Sequence, residues 1–287
     1  MSDSSPFKPP AREPDDIAFR LSCSGIFQRK NFDLSVVDSQ IAHYERNGFL
    51  IRENLLTVSE LESIRQRMRE IADGLVPSFP ADQIEYEPSA ERTPNRLAVR
   101  KINQCAERDA VFMAHAKHPR ILDVVESLIG PDIKLFGSQC FMKPPGGIEK
   151  PYHQDSAYFP IEPRALVTCW TALDDATLDN GCLWVIPGSH RGELLDHDQP
   201  WKVGERVDMQ IRDEQIDDAR EISIELRAGS CSFHHSMLLH RSGPNRTETP
   251  RRGLAVHYMS SRSRWTEPLK PRPGYLLLRG QEFEDCV

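Results

Sequence analysis

The sequence contains no long apolar run and no targeting segment. Among its 287 residues, no uninterrupted apolar stretch reaches the ~18–20 residues that a membrane-spanning helix requires. The first residues, MSDSSPFKPPAREPDD, lack the basic segment followed by an apolar one that marks a secretory signal, and no peroxisomal targeting signal is present. These absences predict a cytoplasmic protein that neither spans nor binds a membrane.

Paired cysteines are also missing. The seven cysteines are an odd number, and no two of them form a Cys-x-x-Cys pair. A disulfide framework or a structural zinc cluster would require paired spacings. We therefore predict reduced thiols that pack as small hydrophobic side chains, which suits a reducing compartment.

A surplus of positive charge is absent as well. The chain has 36 basic and 43 acidic side chains, a formal net charge of −7, whereas nucleic-acid-binding proteins concentrate positive charge. The apolar fraction of 39% and the charged fraction of 28% favour a folded core over a disordered chain. The composition favours a small molecule over a nucleic acid as the partner, and we expect the chain to act as a monomer or homodimer.

Helical patterns occupy the N-terminal part of the chain, residues 35–130. Thr57-Val-Ser-Glu60 has the pattern of a capping box and precedes apolar residues at helical spacing. A second helix is predicted from about His118 to Leu128, because Gly130-Pro131 would stop it. Between the two, residues 74–98 are rich in Pro, Glu and Ser, which predicts a long loop of the kind that often covers a binding site.

The pattern changes after Pro131, and residues 131–260 are predicted to form a β core. Short runs rich in aromatic and β-branched residues alternate with turn clusters, which is typical of an antiparallel sandwich or barrel. These runs are IKLFGSQCFM, ALVTCWTAL, CLWVIP, EISIEL, SCSFHH, MLLH and GLAVHYMS. The acidic stretch 192–221 interrupts them and is predicted to be an insertion that carries Trp201.

The predicted fold class is therefore mainly β with N-terminal helices (α+β). Residues 17–287 form one domain in this prediction, preceded by a flexible tail at 1–16.

The sharpest local feature is His153-Gln154-Asp155. In an extended segment, residues i and i+2 point to the same side, so the imidazole and the carboxylate can converge on one point. One nitrogen and one oxygen donor suit a divalent first-row metal, and a second histidine would complete a two-histidine, one-carboxylate triad. The motif alone is also compatible with an ordinary surface pair.

His240 is the best placed third ligand. It ends the apolar run MLLH and lies 87 residues beyond His153, far enough to come from another strand. His234 and His235 are the alternatives, although adjacent residues of a strand cannot both face the interior of a barrel. The other histidines, His43, His115, His118, His190, His197 and His257, have no such partner nearby and are predicted to be structural.

An arginine close to His240 predicts an anion site. If MLLH and GLAVHYMS pair antiparallel, Arg251 returns beside His240, and its guanidinium can bind a carboxylate through two hydrogen bonds. Strand alternation groups Arg251 with Gly253 and Ala255, small neighbours that leave room for a bound acid. Spacing alone leaves Arg252 as an alternative.

Three segments in order carry a family resemblance: YHQDSAYFP at 152–160, CWTALDDATLDNGCLWVIPGSHRG at 169–192 and LLHRSGPNRTETPR at 238–251. They resemble the phytanoyl-CoA dioxygenase family of oxygenases dependent on ferrous iron and 2-oxoglutarate, over about residues 100–260. The resemblance implies a double-stranded β-helix (jelly-roll, cupin-like) core in which His153, Asp155 and His240 hold Fe(II).

The same resemblance implies roles for further residues. It selects Arg251 over Arg252 for the distal carboxylate of 2-oxoglutarate. The other implied co-substrate contacts are Ser242, Trp170, Lys101 and Gln139. The expected walls of the substrate pocket are Tyr158, Phe159, Trp201 and Arg241. Relative to the family pattern, Gly229-Ser230 replaces the usual Gly-Asp, and His234 stands at a position that is commonly aromatic.

The activity that the resemblance implies uses O2 to hydroxylate an unactivated C–H bond of a small-molecule metabolite, with release of succinate and CO2. Desaturation or ring closure are open outcomes. The alternatives are an acyl-CoA 2-hydroxylase of the phytanoyl-CoA type, which the acidic composition disfavours, a metal-dependent hydrolase, and a catalytically silent metal-binding protein.

Overall fold

A computed structural model describes residues 36–87, 99–203, 206–267, 270 and 273–287. The predicted tail at 1–16 and residues 88–98 of the predicted loop lie outside the described residues. The rest of that loop holds a 3-10 turn (Ala81–Gln83) and a short strand.

The helices are α1 (Asp38–Asn47), α2 (Val58–Ala72), α3 (Cys105–Arg108), α4 (Ala110–Ala116) and α5 (Pro119–Ile129). The predicted capping box is confirmed, because Thr57 Oγ1 accepts from Glu60 N–H at 3.3 Å and the Glu60 carboxylate accepts from Thr57 N–H at 2.7 Å. The predicted helix near 118–128 is confirmed as α5, which starts at a proline and ends at Gly130.

The strands in chain order are β1 (Phe49–Arg52), β2 (Ile84–Tyr86), β3 (Val99–Asn103), β4 (Ile133–Phe141), β5 (Lys150–His153), β6 (Ile161–Glu162), β7 (Val167–Ala172), β8 (Leu183–Val185), β9 (Gln199–Val203), β10 (Arg206–Gln210), β11 (Ile222–Ile224), β12 (Cys231–His235), β13 (His240–Ser242), β14 (Gly253–Ser260), β15 (Arg264–Trp265) and β16 (Leu276–Arg279). The described strands pair antiparallel, which confirms the predicted antiparallel core.

Two sheets face each other across the site. The major sheet has the order β1-β12-β7-β14-β4-β3-β2, with β16 beside β4, and the minor sheet has the order β11-β8-β13-β5. This arrangement is a double-stranded β-helix, as the family resemblance implies. The segment 35–130 is less purely helical than predicted, because β1, β2 and β3 come from it and extend the major sheet.

Side-chain alternation gives the major sheet two different faces. One set of strand residues, including Val167, Cys169, Phe233 and Val256, packs with the N-terminal helices in a continuous apolar core. The intervening residues face the minor sheet and form the site. Alternation therefore decides which side chains stabilise the fold and which are available for chemistry.

The prediction of a strand at MLLH is wrong. Residues 237–239 form a turn after β12, since Leu238 N–H bonds to the His235 carbonyl at 2.8 Å and Leu239 N–H bonds to Ser189 Oγ at 2.9 Å. The predicted pairing across the next turn is wrong as well. β13 lies in the minor sheet and β14 in the major sheet, so the intervening chain crosses between sheets.

The acidic stretch 192–221 contains the antiparallel hairpin β9–β10, which carries Trp201. Ile211 N–H approaches the Tyr152 carbonyl at 3.4 Å and so returns this stretch to β5. Among the described residues, no helix is both long and apolar enough to span a bilayer.

A buried histidine makes the core sensitive to acid. His115 on α4 is 4% exposed, and its Nε2 lies 3.1 Å from Thr171 Oγ1 on β7. Burial lowers the pKa of His115 to about 3 from an ordinary value near 6.5. The unfolded chain therefore binds this proton more readily, and folding stability falls as the pH drops from about 6.5 towards 3.

We expect His115→Gln to reduce the loss of folding stability at acidic pH, since glutamine retains a hydrogen-bonding group but does not titrate. The pH-dependent loss attributable to His115 is on the order of 4 kcal/mol by pH 3. Urea unfolding between pH 7 and pH 4 measures the slope, with His43→Gln on α1 as the control. Equal slopes for the wild type and His115→Gln would contradict the assignment.

Candidate active site

The site is a cavity of about 210 Å³ between the two sheets. The major sheet contributes polar residues of β7, β12 and β14 to its lining, and the minor sheet contributes β5 and β13. A concave site between two rigid sheets holds its side chains in fixed positions.

The three predicted metal ligands meet at one point of this cavity. His153 and His240 are directly paired residues of β5 and β13, and their ring centroids are 4.1 Å apart. Asp155 follows β5 at the start of a 3-10 turn, and its Oδ1 lies 3.8 Å from His153 Nε2 and 3.7 Å from His240 Nε2. All three ligand atoms lie within 4.8 Å of one another, as a single metal ion requires.

Hydrogen bonds fix the tautomers of both histidines. His153 Nδ1 lies 2.9 Å from the Pro151 carbonyl, and His240 Nδ1 lies 2.9 Å from the Leu238 carbonyl. Because a carbonyl only accepts, each Nδ1 carries the proton, and each Nε2 presents its lone pair to the centre of the triad.

Charge is also arranged for metal binding. Burial lowers the pKa of His240 to about 4 and places the pKa of His153 well below its usual range, so both rings are neutral at neutral pH. Burial opposes ionisation of Asp155, but the neighbouring imidazoles, with His240 foremost, outweigh it and hold the pKa of this carboxyl well below its usual range. A carboxylate between neutral imidazoles is the form that binds a divalent cation.

The second oxygen of Asp155 belongs to a separate hydrogen-bond chain. Thr168 Oγ1 lies 2.7 Å from Asp155 Oδ2 and 2.8 Å from His257 Nδ1. Thr168 has one hydroxyl hydrogen, which the carboxylate must receive, so His257 Nδ1–H donates to Thr168. His234 Nε2 also approaches Asp155 Oδ2, at 3.7 Å. These contacts orient Oδ1 alone towards the metal position.

Arg251 also lines the cavity and has unused hydrogen-bonding capacity. Its side chain is 2% exposed, and Nη2 donates to the Gly181 carbonyl at 2.6 Å. Within the described residues, its buried Nε has no hydrogen-bond partner. A buried guanidinium with open donors fits a carboxylate. The alternative, Arg252, instead forms two hydrogen bonds of 2.7 Å with Asp174.

The indole of Trp170 covers Arg251. The Arg251 guanidinium carbon lies 5.2 Å from the centroid of the Trp170 ring. A Cβ at Gly253 would come within 2.3 Å of the same ring, so a glycine is required there. Arg251, Gly253 and Ala255 therefore share one face, as strand alternation predicts, although the chain reaches it by crossing between sheets.

Lys143 and Ser242 contact each other in the cavity lining. Its Nζ donates to Ser242 Oγ at 3.0 Å and to the Gly243 carbonyl. Since Nζ donates to Ser242 Oγ, the hydrogen of the Ser242 hydroxyl is directed to another acceptor. Burial, followed by the positive charge of Arg251, places the pKa of Lys143 well below its usual range.

The other predicted site residues are distributed around the cavity. Lys101 and Gln139 line it from β3 and β4, and Tyr158 and Phe159 line it beyond the metal motif. Arg241 lines it as well, and its guanidinium forms two hydrogen bonds with Glu221, at 2.9 and 2.7 Å.

Trp201 is not among the lining residues of the described chain. It lies beside Arg100 and Lys150, which do line the cavity, and its ring centroid is 5.4 Å from the guanidinium carbon of Arg100.

Sequence reasoning missed three residues here. His257 was predicted to be structural and to have no ligand nearby, but it lines the cavity and contacts Thr168, which binds Asp155. The alternation that groups residues 251, 253 and 255 on one face also includes His257, so it could have predicted that His257 faces the cavity. Thr168 is two residues before Trp170 and shares its face. Lys143 had no such signal, because KPPGG is typical of a turn.

We expect Thr168→Val to weaken metal binding by about 10–100-fold, the usual effect of removing an outer hydrogen bond to a ligand. We expect His257→Phe to weaken metal binding as well. Competition of Mn(II) against a chromophoric chelator measures the affinity without turnover, and Thr249→Val at an exposed position is the matched control. If both threonine variants bind Mn(II) like the wild type, the hydrogen-bond chain does not position Asp155.

Comparisons with known proteins agree on one family. The family model "Phytanoyl-CoA dioxygenase (PhyH)" matches residues 44–253. The probable phytanoyl-CoA dioxygenase of Caenorhabditis elegans is 36% identical over 228 residues, which cover 75% of this chain and 72% of that protein. The peroxisomal phytanoyl-CoA dioxygenase of Homo sapiens is 32% identical over 227 residues, covering 76% and 67%.

A solved structure supports the fold independently. EctD from S. alaskensis, with 2-oxoglutarate and 5-hydroxyectoine, superposes with a TM-score of 0.67 at 23% identity, covering 90% of this chain and 89% of that chain. The chain belongs to the phytanoyl-CoA dioxygenase family.

Proposed function

We propose that this chain is a dioxygenase dependent on Fe(II) and 2-oxoglutarate that hydroxylates an unactivated C–H bond of a small-molecule metabolite, releasing succinate and CO2. The observation that carries the proposal is a pair of sites in one cavity. Two histidines and a carboxylate converge in it, and a buried guanidinium with an unpartnered Nε donor also lines it. A hydrolase has no need of the second site.

The donor set fits both groups. Two nitrogens and one oxygen suit Fe(II), and they leave coordination positions for a chelating keto acid and for O2. Fe(II) and the guanidinium of Arg251 together balance the charges of Asp155 and the 2-oxoglutarate dianion. A neutral total favours a buried site, since unpaired buried charge is costly.

The chain's own residues have separate roles in this proposal. His153, Asp155 and His240 hold the iron, which when bound activates O2 for oxidation of the substrate. Arg251 binds the distal carboxylate of 2-oxoglutarate through two hydrogen bonds, and the Ser242 hydroxyl, oriented by Lys143, adds a third.

The remaining co-substrate contacts follow from their positions. Trp170 excludes water from the guanidinium that it covers. Lys101 and Gln139 complete the co-substrate wall on the major sheet.

A second candidate is an acyl-CoA 2-hydroxylase of the phytanoyl-CoA type. The named activity of the relatives in C. elegans and H. sapiens favours it, at 36% and 32% identity. EctD carries 5-hydroxyectoine in the same fold, which favours a compact metabolite equally well.

We also infer that the protein works in the cytoplasm as a monomer or homodimer. The cysteines at 105, 140, 169, 182, 231 and 286 have free thiols, and five of these side chains are buried. Buried thiols suit a reducing compartment.

Anaerobic addition of Fe(II) and 2-oxoglutarate is expected to give a visible charge-transfer band, and O2 is then expected to give succinate. Arg251→Met should raise the Kd for 2-oxoglutarate by at least about 100-fold, because an unpaired buried carboxylate costs about 3–5 kcal/mol. Arg251→Lys should recover part of the affinity, since it keeps the charge but not the two-pronged geometry.

Arg252→Met is the matched control, and it should leave the Kd for 2-oxoglutarate unchanged. Absence of the band in the wild type would refute the assignment. A band without succinate, across many tested metabolites, would favour a binding protein that lacks turnover.

A further inference from the structure

The metal motif at 153–156 has a second face outside the cavity. His153 and Asp155 line the cavity, whereas Gln154 and Ser156 are not among its described lining residues. Both are nevertheless buried, with exposed fractions of 1% and 6%. Buried polar side chains are hydrogen-bonded as a rule, and the partners of these two lie on other segments of the chain.

The side-chain amide of Gln154 uses both of its ends. Nε2 donates to the Met237 carbonyl at 2.9 Å and to the Glu193 carbonyl at 3.2 Å. Oε1 accepts from Leu195 N–H at 2.9 Å. Because two carbonyls and one N–H face this amide, only one of its two orientations satisfies all three partners. Gln154 therefore joins the metal motif to the start of the acidic stretch and to the turn that precedes β13.

The backbone of Gln154 is bound as well. Its N–H donates to His197 Nε2 at 2.9 Å. His197 Nδ1 lies 2.9 Å from the Leu195 carbonyl, which only accepts, so the ring proton is on Nδ1 and Nε2 is the acceptor. Both bonds require the same tautomer, and together they hold the acidic stretch against the metal motif.

Ser156 contacts the same turn through a neighbouring residue. Its N–H donates to the Ser236 carbonyl at 3.0 Å, and its Oγ donates to Ser236 Oγ at 2.8 Å. Ser236 Oγ donates in turn to the Arg164 carbonyl at 3.2 Å, and Ser236 N–H donates to the Leu166 carbonyl at 2.9 Å. Since Leu166 directly precedes β7, these bonds fix the turn to the major sheet.

This turn leads directly to the third metal ligand. The Leu238 carbonyl within it lies 2.9 Å from His240 Nδ1 and orients that imidazole. The three ligands come from two segments that are far apart in sequence, so no covalent constraint keeps them at one separation. Hydrogen bonds that hold the segments together before the metal arrives reduce the ordering that binding requires.

We propose that Gln154, Ser156 and Ser236 form a clamp that holds segment 153–155 at the separation from His240 that one metal ion requires. They are positioning residues, since none of the three is among the described residues that line the cavity. This inference rests on the proposed function, because it concerns the metal centre of the same site. Alternate residues of the motif then bind the metal and fix the motif to the turn.

Mn(II) binding, measured by competition with a chromophoric chelator well below the melting temperature, tests the clamp without turnover. The variants are Ser156→Ala, Ser236→Ala, the double variant and Gln154→Met. We expect each single variant to raise the Kd for Mn(II) by about 10–100-fold, the usual effect of removing an outer support of metal ligands. The double variant should fall short of the product of the two serine effects, because both single variants remove the same bond.

Ser138→Ala is the matched control. Ser138 on β4 is also a buried serine, 2% exposed, and its Oγ accepts from Ala106 N–H at 2.8 Å outside the cavity lining. Thermal unfolding of the metal-free protein is recorded for every variant. The control should lower the Tm and leave the Kd for Mn(II) unchanged, which is the behaviour of a residue that supports only the fold.

Two results would overturn the proposal. One is a lowered Tm with a wild-type Kd for Mn(II) in both single serine variants, because the contacts would then support only the fold. The other is a double variant whose effect equals the product of the single effects, because the two hydroxyls would then act separately. If Gln154→Met fails to fold, the serine variants decide the test.

The wild type separates this test from the proposed function. If the wild type fails to bind Mn(II), the triad assignment fails and the oxygenase proposal fails with it. If the wild type binds Mn(II) and gives the charge-transfer band with Fe(II) and 2-oxoglutarate, unchanged variants remove only the clamp.

Discussion

The buried carboxylate of Asp155 is the group around which the site is organised. Its side chain lies in a cavity wall, where an unpaired negative charge would be strongly destabilising. One oxygen faces the imidazoles of His153 and His240, and the other accepts from Thr168. These contacts stabilise the buried charge. They also leave Oδ1 for the metal, while Oδ2 holds the carboxylate in position.

The two sheets make this division possible. Inward residues of β7 and β14 supply Thr168 and His257, while β5 and β13 pair His153 directly with His240. The outward residues of the major sheet pack on the N-terminal helices and contribute burial instead. Alternate residues of the same strand point to the apolar core and to the polar cavity. The core and the cavity therefore lie on opposite faces of one sheet.

Electrostatics vary sharply over the molecule. The chain carries 43 acidic and 36 basic side chains, whereas six Lys or Arg residues and only two carboxylates line the cavity. Burial makes these charges effective, since a guanidinium such as Arg251 interacts more strongly in a water-poor site than at the surface. Net charge alone therefore did not predict the basic lining of the cavity.

Local patterns in the sequence were sufficient for several features, because each depends on neighbours along the chain. The capping box at Thr57, the stop of α5 at Gly130 and the convergence of His153 with Asp155 are of this kind. Spacing favoured His240 over His234 and His235 as the third ligand, and the family resemblance agreed with it and selected Arg251 over Arg252. Features that depend on contacts between distant segments required the tertiary structure. The crossing of the chain between β13 and β14, the link from His257 through Thr168 to Asp155, and the position of Lys143 at Ser242 all join residues that sequence spacing does not relate. Hydrogen bonds across sheets are set by how strands pack in space, and that packing is what the fold alone decided.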